Sequence, residues 1–170
     1  MCKTCEIKSY EKGHFFYRFN QTGELEYDTK IEEMIKDSDW DNSIYFSLNE
    51  DVANGYHDDE HTFKMKVQNN APIKYILCTH ESFKTGDYEA YMEDIIKEIE
   101  GLICKDKPQN MPFMKWLGSL EYAFQCFHNQ DSDDMEIAIP KNLLRKETFE
   151  VKCCKEIPVH NTECPKRVVY

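Results

Sequence analysis

The sequence predicts an α+β domain, and three observations carry that prediction. Short strands of alternating polarity stand near both ends of the chain. Two long amphipathic patterns are grouped between them. No repeat, low-complexity tract or linker divides residues 1–170. Strands segregated from helices point to α+β architecture and away from βαβ winding. A chain of 170 residues suits a single domain with a core of ordinary size.

Each element has its own signal. His14 to Asn20 reads as an aromatic strand carrying Arg18, and Gln21-Thr22-Gly23 supplies turn chemistry after it. Ile31, Met34 and Ile35 share one face of a short helix. Ile44-Tyr45-Phe46 is a short strand ending at Ser47, and Asn49 caps a helix with Val52, Ala53 and Tyr56 on one side. Phe63, Met65 and Val67 alternate along Thr62 to Gln68; Ile73, Tyr75 and Leu77 alternate after an Asn69-Asn70-Ala71-Pro72 turn. That pair predicts a hairpin. The first long helix carries Tyr88, Tyr91, Met92, Ile95, Ile96, Ile99, Leu102 and Ile103, with Gly101 near its end. The second, after Pro112, carries Phe113, Trp116, Leu117, Leu120, Ala123, Phe124 and Phe127. Asn129 to Asp134 is a polar loop, Glu136 to Pro140 a strand, and Thr148 to Cys153 the last strand.

Composition narrows the function classes. A formal net charge of −11, with no Lys/Arg cluster to offset it, disfavours nucleic acid and anionic membranes as partners and permits a basic protein surface. Apolar runs such as Phe15-Phe16-Tyr17 are too short to cross a bilayer. The first residues lack the apolar stretch of a secretory signal, which predicts a cytoplasmic protein and leaves open export as an effector without a cleavable signal. The eight cysteines are then expected as thiols, not disulfides. Cys78, Cys104 and Cys126 sit in apolar segments, where Cys behaves as a small hydrophobe.

Three residues stand out chemically. Arg18 lies among Phe15, Phe16, Tyr17 and Phe19, where a guanidinium near a core calls for an anionic partner. Taken alone, an arginine on the solvent face of the strand is the plainer reading, because alternation separates it from Tyr17. Ser47 alone reads as a strand-end serine. Glu136 opens an Ile-Ala-Ile strand directly after polar residues, so its carboxylate points into a cleft or closes a solvated loop.

Their order along the chain is more informative than any one of them. Phe16-Tyr17-Arg18, Tyr45-Phe46-Ser47, Val52-Ala53-Asn54-Gly55-Tyr56, Phe63-Lys64-Met65-Lys66-Val67 and Asp134-Met135-Glu136-Ile137-Ala138-Ile139-Pro140 span most of residues 14 to 151. Together they resemble the ADP-ribosyltransferase superfamily, in the arginine-serine-glutamate branch that includes cholera-toxin-like and other bacterial mono-ADP-ribosyltransferases. The resemblance implies a split pair of small antiparallel sheets with flanking helices and a two-helix insertion, and NAD as substrate in the cleft between the sheets. It implies that Arg18 binds the phosphate or ribose side of NAD, with Tyr17 beside it, and that Ser47 holds Glu136. Glu136 would bind the nicotinamide ribose and stabilise the oxocarbenium-like centre as the bond to nicotinamide breaks. Tyr45, Phe46 or Tyr56 would line the nicotinamide pocket. Asp134 stands where arginine-modifying members carry a glutamate that activates the acceptor, and Asn49 stands where a second hydroxyl is usual. A protein acceptor follows from the same likeness. The other class left open is a non-catalytic protein-interaction domain of the same fold, with a strict NAD glycohydrolase close to the transferase.

The terminal cysteines allow a metal site without requiring one. Cys2-x-x-Cys5 has zinc-knuckle spacing, and Cys153, Cys154, His160 and Cys164 offer further ligands, but no second CxxC pair is present. Plain thiols are the expectation, and no metal site is predicted. His57-Asp58-Asp59-Glu60-His61 reads as a solvated turn.

Overall fold

The computed structural model describes residues 3–21, 43–49, 62–128, 133–145 and 147–157, with backbone alone at 19–21, 62–65 and 153–157. The helices predicted around residues 31–35 and 52–56, the 57–61 turn, and Cys2, His160 and Cys164 lie outside the described residues. Eight strands form one sheet: β1 (Cys5–Tyr10), β2 (Phe15–Gln21), β3 (Ser43–Ser47), β4 (Thr62–Asn69), β5 (Ile73–Cys78), β6 (Ala123–Phe127), β7 (Met135–Pro140) and β8 (Phe149–Ile157). Their spatial order is β1-β5-β6-β7-β3-β2-β4-β8. Helices α1 (Ser82–Thr85), α2 (Tyr88–Ile103) and α3 (Phe113–Ser119) are grouped between β5 and β6, so the class is α+β. No described helix is long and apolar enough to cross a membrane.

Two separate sheets were expected, and the strands instead join in one. The join is thin, because β2 and β3 share the single register pair Tyr17↔Ser47. By contrast β3 pairs with β7 from Ser43↔Pro140 through Ser47↔Glu136. The halves on either side of this seam pack face to face. Ile44, Phe46, Ile73, Tyr75, Ile137 and Ile139 from one half meet Phe16, Val67, Phe149 and Val151 from the other in one core. The Phe16 ring lies 6.2 Å from Phe46 and 6.1 Å from Phe149. Each fully buried phenylalanine contributes roughly 1.5–3 kcal/mol, which holds the fold closed across so short a ladder.

The expected β4–β5 hairpin does not form. β4 pairs with β2 and β8, while β5 pairs with β1 and β6 in the other half. Asn69 decides the crossing. Its fully buried amide donates to the Glu11 and Ala71 carbonyls, each at 2.9 Å, and accepts the His14 N–H at 2.7 Å. A buried amide is costly unless bonded, so the β1–β2 and β4–β5 connections are locked side by side as one corner. β1 itself was missed by the strand pattern because only Cys5 along it is buried.

The second long helix is also corrected. The pattern through Phe127 splits into α3, ending at Ser119, and strand β6. Glu121 takes φ 64°, and the Tyr122 N–H closes back on the Leu117 carbonyl at 2.9 Å, which ends the helix. β6 is buried on both faces, so its apolar residues Ala123, Phe124, Cys126 and Phe127 do not alternate with exposed ones and fit the spacing of a helix as well as a strand. It lies parallel to β5, and the intervening helices make a βαβ crossover, away from which the sequence pattern had pointed. These helices cover the other side of the β1-β5-β6-β7-β3 half, where Ile95, Ile99, Met114, Trp116 and Leu117 pack on Ile76, Phe124 and Ala138.

Candidate active site

The site grows from the seam. In β3 the sequence Ser-Ile-Tyr-Phe-Ser alternates, and Ile44 and Phe46 enter the core between the halves. Ser43, Tyr45 and Ser47 therefore point to the opposite, helix-covered face. In β7 Ile137 and Ile139 enter the same inner core, while Ala138 joins the helix-side cluster and puts Glu136 on that face. Register sets Cys126↔Glu136, Glu136↔Ser47 and Ser47↔Tyr17 in one row across β6, β7, β3 and β2. Directly opposed residues of antiparallel strands have Cβ atoms about 4.5–5.5 Å apart. Ser47 is nearly buried.

Glu136 has a partner that sequence reasoning did not find. His128 Nδ1 lies 2.9 Å from Glu136 Oε2, with only 10% and 19% of the two side chains exposed. The β6–β7 connection produces the pair, because the His128 N–H donates to the Asp134 carbonyl at 2.8 Å and turns β6 back into β7. The hydrogen bond to Glu136 raises the His128 pKa, against desolvation, with help from the charges of Glu136 and Asp134. Burial, then the charge of Glu136, pushes the Cys126 thiol well up, so it stays protonated. At the edge of this region Lys84 on α1 pairs with Asp133 at 2.5 Å and sits 4.5 Å from the Phe127 ring centroid. The missed signal was the pair of polar residues flanking two apolar strands, which becomes visible only once β6 is read as a strand.

The other expected residues are placed unevenly. Asp134 is exposed, two residues before Glu136. Arg18 alternates with Tyr17, which puts it on the Phe16 side of β2, across the sheet from the Glu136 face. Its Nη1 donates to the Tyr45 carbonyl at 2.9 Å, spanning the seam where the β2–β3 ladder is thin. Phe46 is 1% exposed in the inner core, so it packs the fold and does not line an open pocket. Tyr45 and Tyr17 are half-buried on the Ser47 face, and Tyr56 lies outside the described residues.

Two other features lie elsewhere. A depression of about 380 Å³ is bounded by Met114, Lys115, Ser119, Pro140, Lys141 and Asn142, at the opposite end of β7 from Glu136. Cys5, whose Cys2-x-x-Cys5 spacing allowed a zinc knuckle without predicting one, opens β1 as a buried thiol opposite Cys78. Contact with Cys78 and burial push the Cys5 thiol up. Cys104, expected in an apolar setting, is exposed. Among the described residues no group of three or more His, Cys, Asp or Glu side chains is arranged to hold a metal ion. No protein-family model matches this chain, and no curated protein matches its sequence.

Proposed function

We propose that the chain cleaves NAD at the nicotinamide–ribose bond and transfers ADP-ribose to a protein acceptor, in the manner of the ADP-ribosyltransferases that its motifs resemble. One observation carries this reading: Ser47 and Glu136, far apart in sequence, stand directly opposite each other on one face at the seam between two half-sheets. The seam itself supports the family's split-sheet arrangement, since the halves share one register pair.

In the proposed reaction the C1′–N bond breaks and its electron pair leaves with neutral nicotinamide. Positive charge develops on the ribose ring, and Glu136 would face it and accept a hydrogen bond from a ribose hydroxyl. Such fixed-charge stabilisation is worth about a hundred- to a thousandfold in rate. The acceptor's nucleophile then bonds to C1′ and releases its proton; with water in that role the product is free ADP-ribose. The resemblance would assign the dinucleotide's phosphates to Arg18; its guanidinium would have to leave the Tyr45 carbonyl and reach them from across the sheet. The test is release of nicotinamide from NAD. Wild-type protein should release it, and Glu136→Gln should lower the rate about a hundredfold or more with an unchanged melting curve. A protein that releases none does not cleave NAD.

A second reading rests on α2. Glu89, Glu93 and Asp94 are exposed on this helix, and Asp94 lies one turn from Tyr91, which is 44% exposed beside His80 although the sequence pattern assigned it to the core. An exposed aromatic on an acidic helix suits a basic protein surface and would serve an interaction domain without catalysis. A pull-down with a basic partner that Tyr91→Ala abolishes, together with no nicotinamide release, would favour it.

A further inference from the structure

We propose that His128 is a positioning residue whose proton decides how much negative charge Glu136 presents to the site. The inference rests on the NAD-cleaving reading of Glu136 and deepens it by naming a control on the same carboxylate. The geometry supports it in three ways. The contact is a 2.9 Å hydrogen bond between Nδ1 and Oε2, mostly out of solvent, so the pair is weakly screened. The backbone bond from the His128 N–H to the Asp134 carbonyl ties the His128 main chain to the start of the strand that carries Glu136. Among the described residues the Glu136 side chain makes no hydrogen bond other than the one to His128.

The consequence depends on protonation. With His128 neutral and its proton on Nδ1, the imidazole still donates to Oε2, so the carboxylate keeps its orientation and its full charge. With His128 protonated, the ion pair offsets that charge, and a developing oxocarbenium centre is stabilised less. Among the described residues, the titratable groups near His128 leave this effect in place. Glu136 and Asp134 both raise its proton affinity, the Cys126 thiol from β6 stays neutral, and the Lys84 ammonium from α1 is taken up by Asp133. Folding and activity therefore respond to pH in opposite senses. The pair stabilises the fold below the unfolded histidine value of about 6.5, and that contribution is lost as pH rises through the higher folded value. The rate rises over the same range.

The test uses full-length protein with two readouts. Nicotinamide release by wild type should climb about tenfold between roughly pH 5.5 and pH 8.5. His128→Asn, whose amide nitrogen replaces Nδ1 as a donor but cannot ionise, should be flat within about twofold over that span. A His128→Asn profile that keeps the wild-type climb overturns the proposal. Proton NMR of the histidine ring protons, assigned by the signal that His128→Asn removes, gives an arm independent of activity. The His128 resonance should titrate at lower pH in Glu136→Gln than in wild type, and an unmoved titration overturns the proposal. Absence of nicotinamide release from wild type at every pH defeats the NAD-cleaving reading alone, and a moved titration would then still uphold the coupling of His128 to Glu136.

Discussion

Ser47 and Glu136 are register partners, the last residue of β3 against the second of β7, and they share the face opposite the inner core. The Ser47 residue is nearly buried while the carboxylate keeps 19% of its side chain exposed; on the proposed reading Ser47 would support Glu136 and Glu136 would meet the ligand. Ser47→Ala should lower nicotinamide release roughly ten- to a hundredfold, the range found when a group that orients a functional side chain is removed. The melting temperature should barely move, because alanine keeps the Cβ in a site that admits it. Full activity in a well-folded Ser47→Ala protein would detach the serine from the proposed mechanism.

Arg18 is expected to contribute in two separable ways. Its hydrogen bond to the Tyr45 carbonyl bridges the weakest ladder in the sheet, and a typical net value for such a bond is about 1 kcal/mol. Arg18→Ala should therefore lower stability by about that amount in a urea titration. If the guanidinium binds the dinucleotide, the same variant should raise KM for NAD more than it lowers kcat, since ground-state recognition appears in KM. An unchanged KM with the stability loss intact would leave Arg18 as a clamp on the seam only.

Parts of this fold were legible in the sequence because the signal and its physical cause are both local. α2 runs from Tyr88 to Ile103 where the 3.6-residue spacing put it, and β7 follows the Ile-Ala-Ile alternation. What was not legible depends on contacts far away in sequence. Thr62–Asn69 and Ile73–Cys78 look like hairpin strands, yet strand pattern carries no information about which partner a strand takes. They part to opposite halves at a corner where the buried Asn69 bonds the neighbouring connection. β6 was hidden because a strand covered on both faces loses its alternation. The same gap concealed His128, since a residue at the end of a helix would have pointed nowhere near Glu136. Ser47 and Glu136 were found through motif order alone, and their direct opposition is a property of the sheet.

Glu98 predicts an acid-sensitive tie between α2 and β1. Its carboxylate accepts the Thr4 N–H at 2.9 Å, the Thr4 hydroxyl at 3.1 Å and the Cys5 N–H. Burial opposes ionisation, but these donors prevail and hold its pKa below the ordinary value. A depressed carboxylate contributes stability above its unfolded pKa of about 4.3 and loses it as pH falls through the lower folded value. Glu98→Gln should thus cost about 1–3 kcal/mol at pH 7 and distinctly less near pH 3, read by denaturant titration at both. A gap of equal size at the two pH values would show that charge plays no part in the tie.

Two glycines in helices of the same helix-side layer should respond to alanine with opposite signs. Gly101 lies in the last turn of α2, and a Cβ built there meets nothing within 4 Å. Alanine at that position gains helix propensity and narrows the unfolded ensemble, so Gly101→Ala should stabilise by about 0.5–1 kcal/mol. Gly118 near the end of α3 is different. A Cβ there would come within 2.6 Å of Asn142 Oδ1 and 2.8 Å of the Pro140 Cβ, closer than real carbon contacts permit. Pro140 ends β7, and Asn142 Nδ2 already donates to the Gly118 carbonyl at 2.9 Å, so neither neighbour can yield cheaply. The steric term outweighs the propensity gain, and Gly118→Ala should destabilise by about 1–3 kcal/mol. Thermal melts of the two variants beside wild type decide the matter. Stabilisation by Gly118→Ala would mean that α3 and the turn after β7 can separate without loss, and the close packing inferred between them would be wrong.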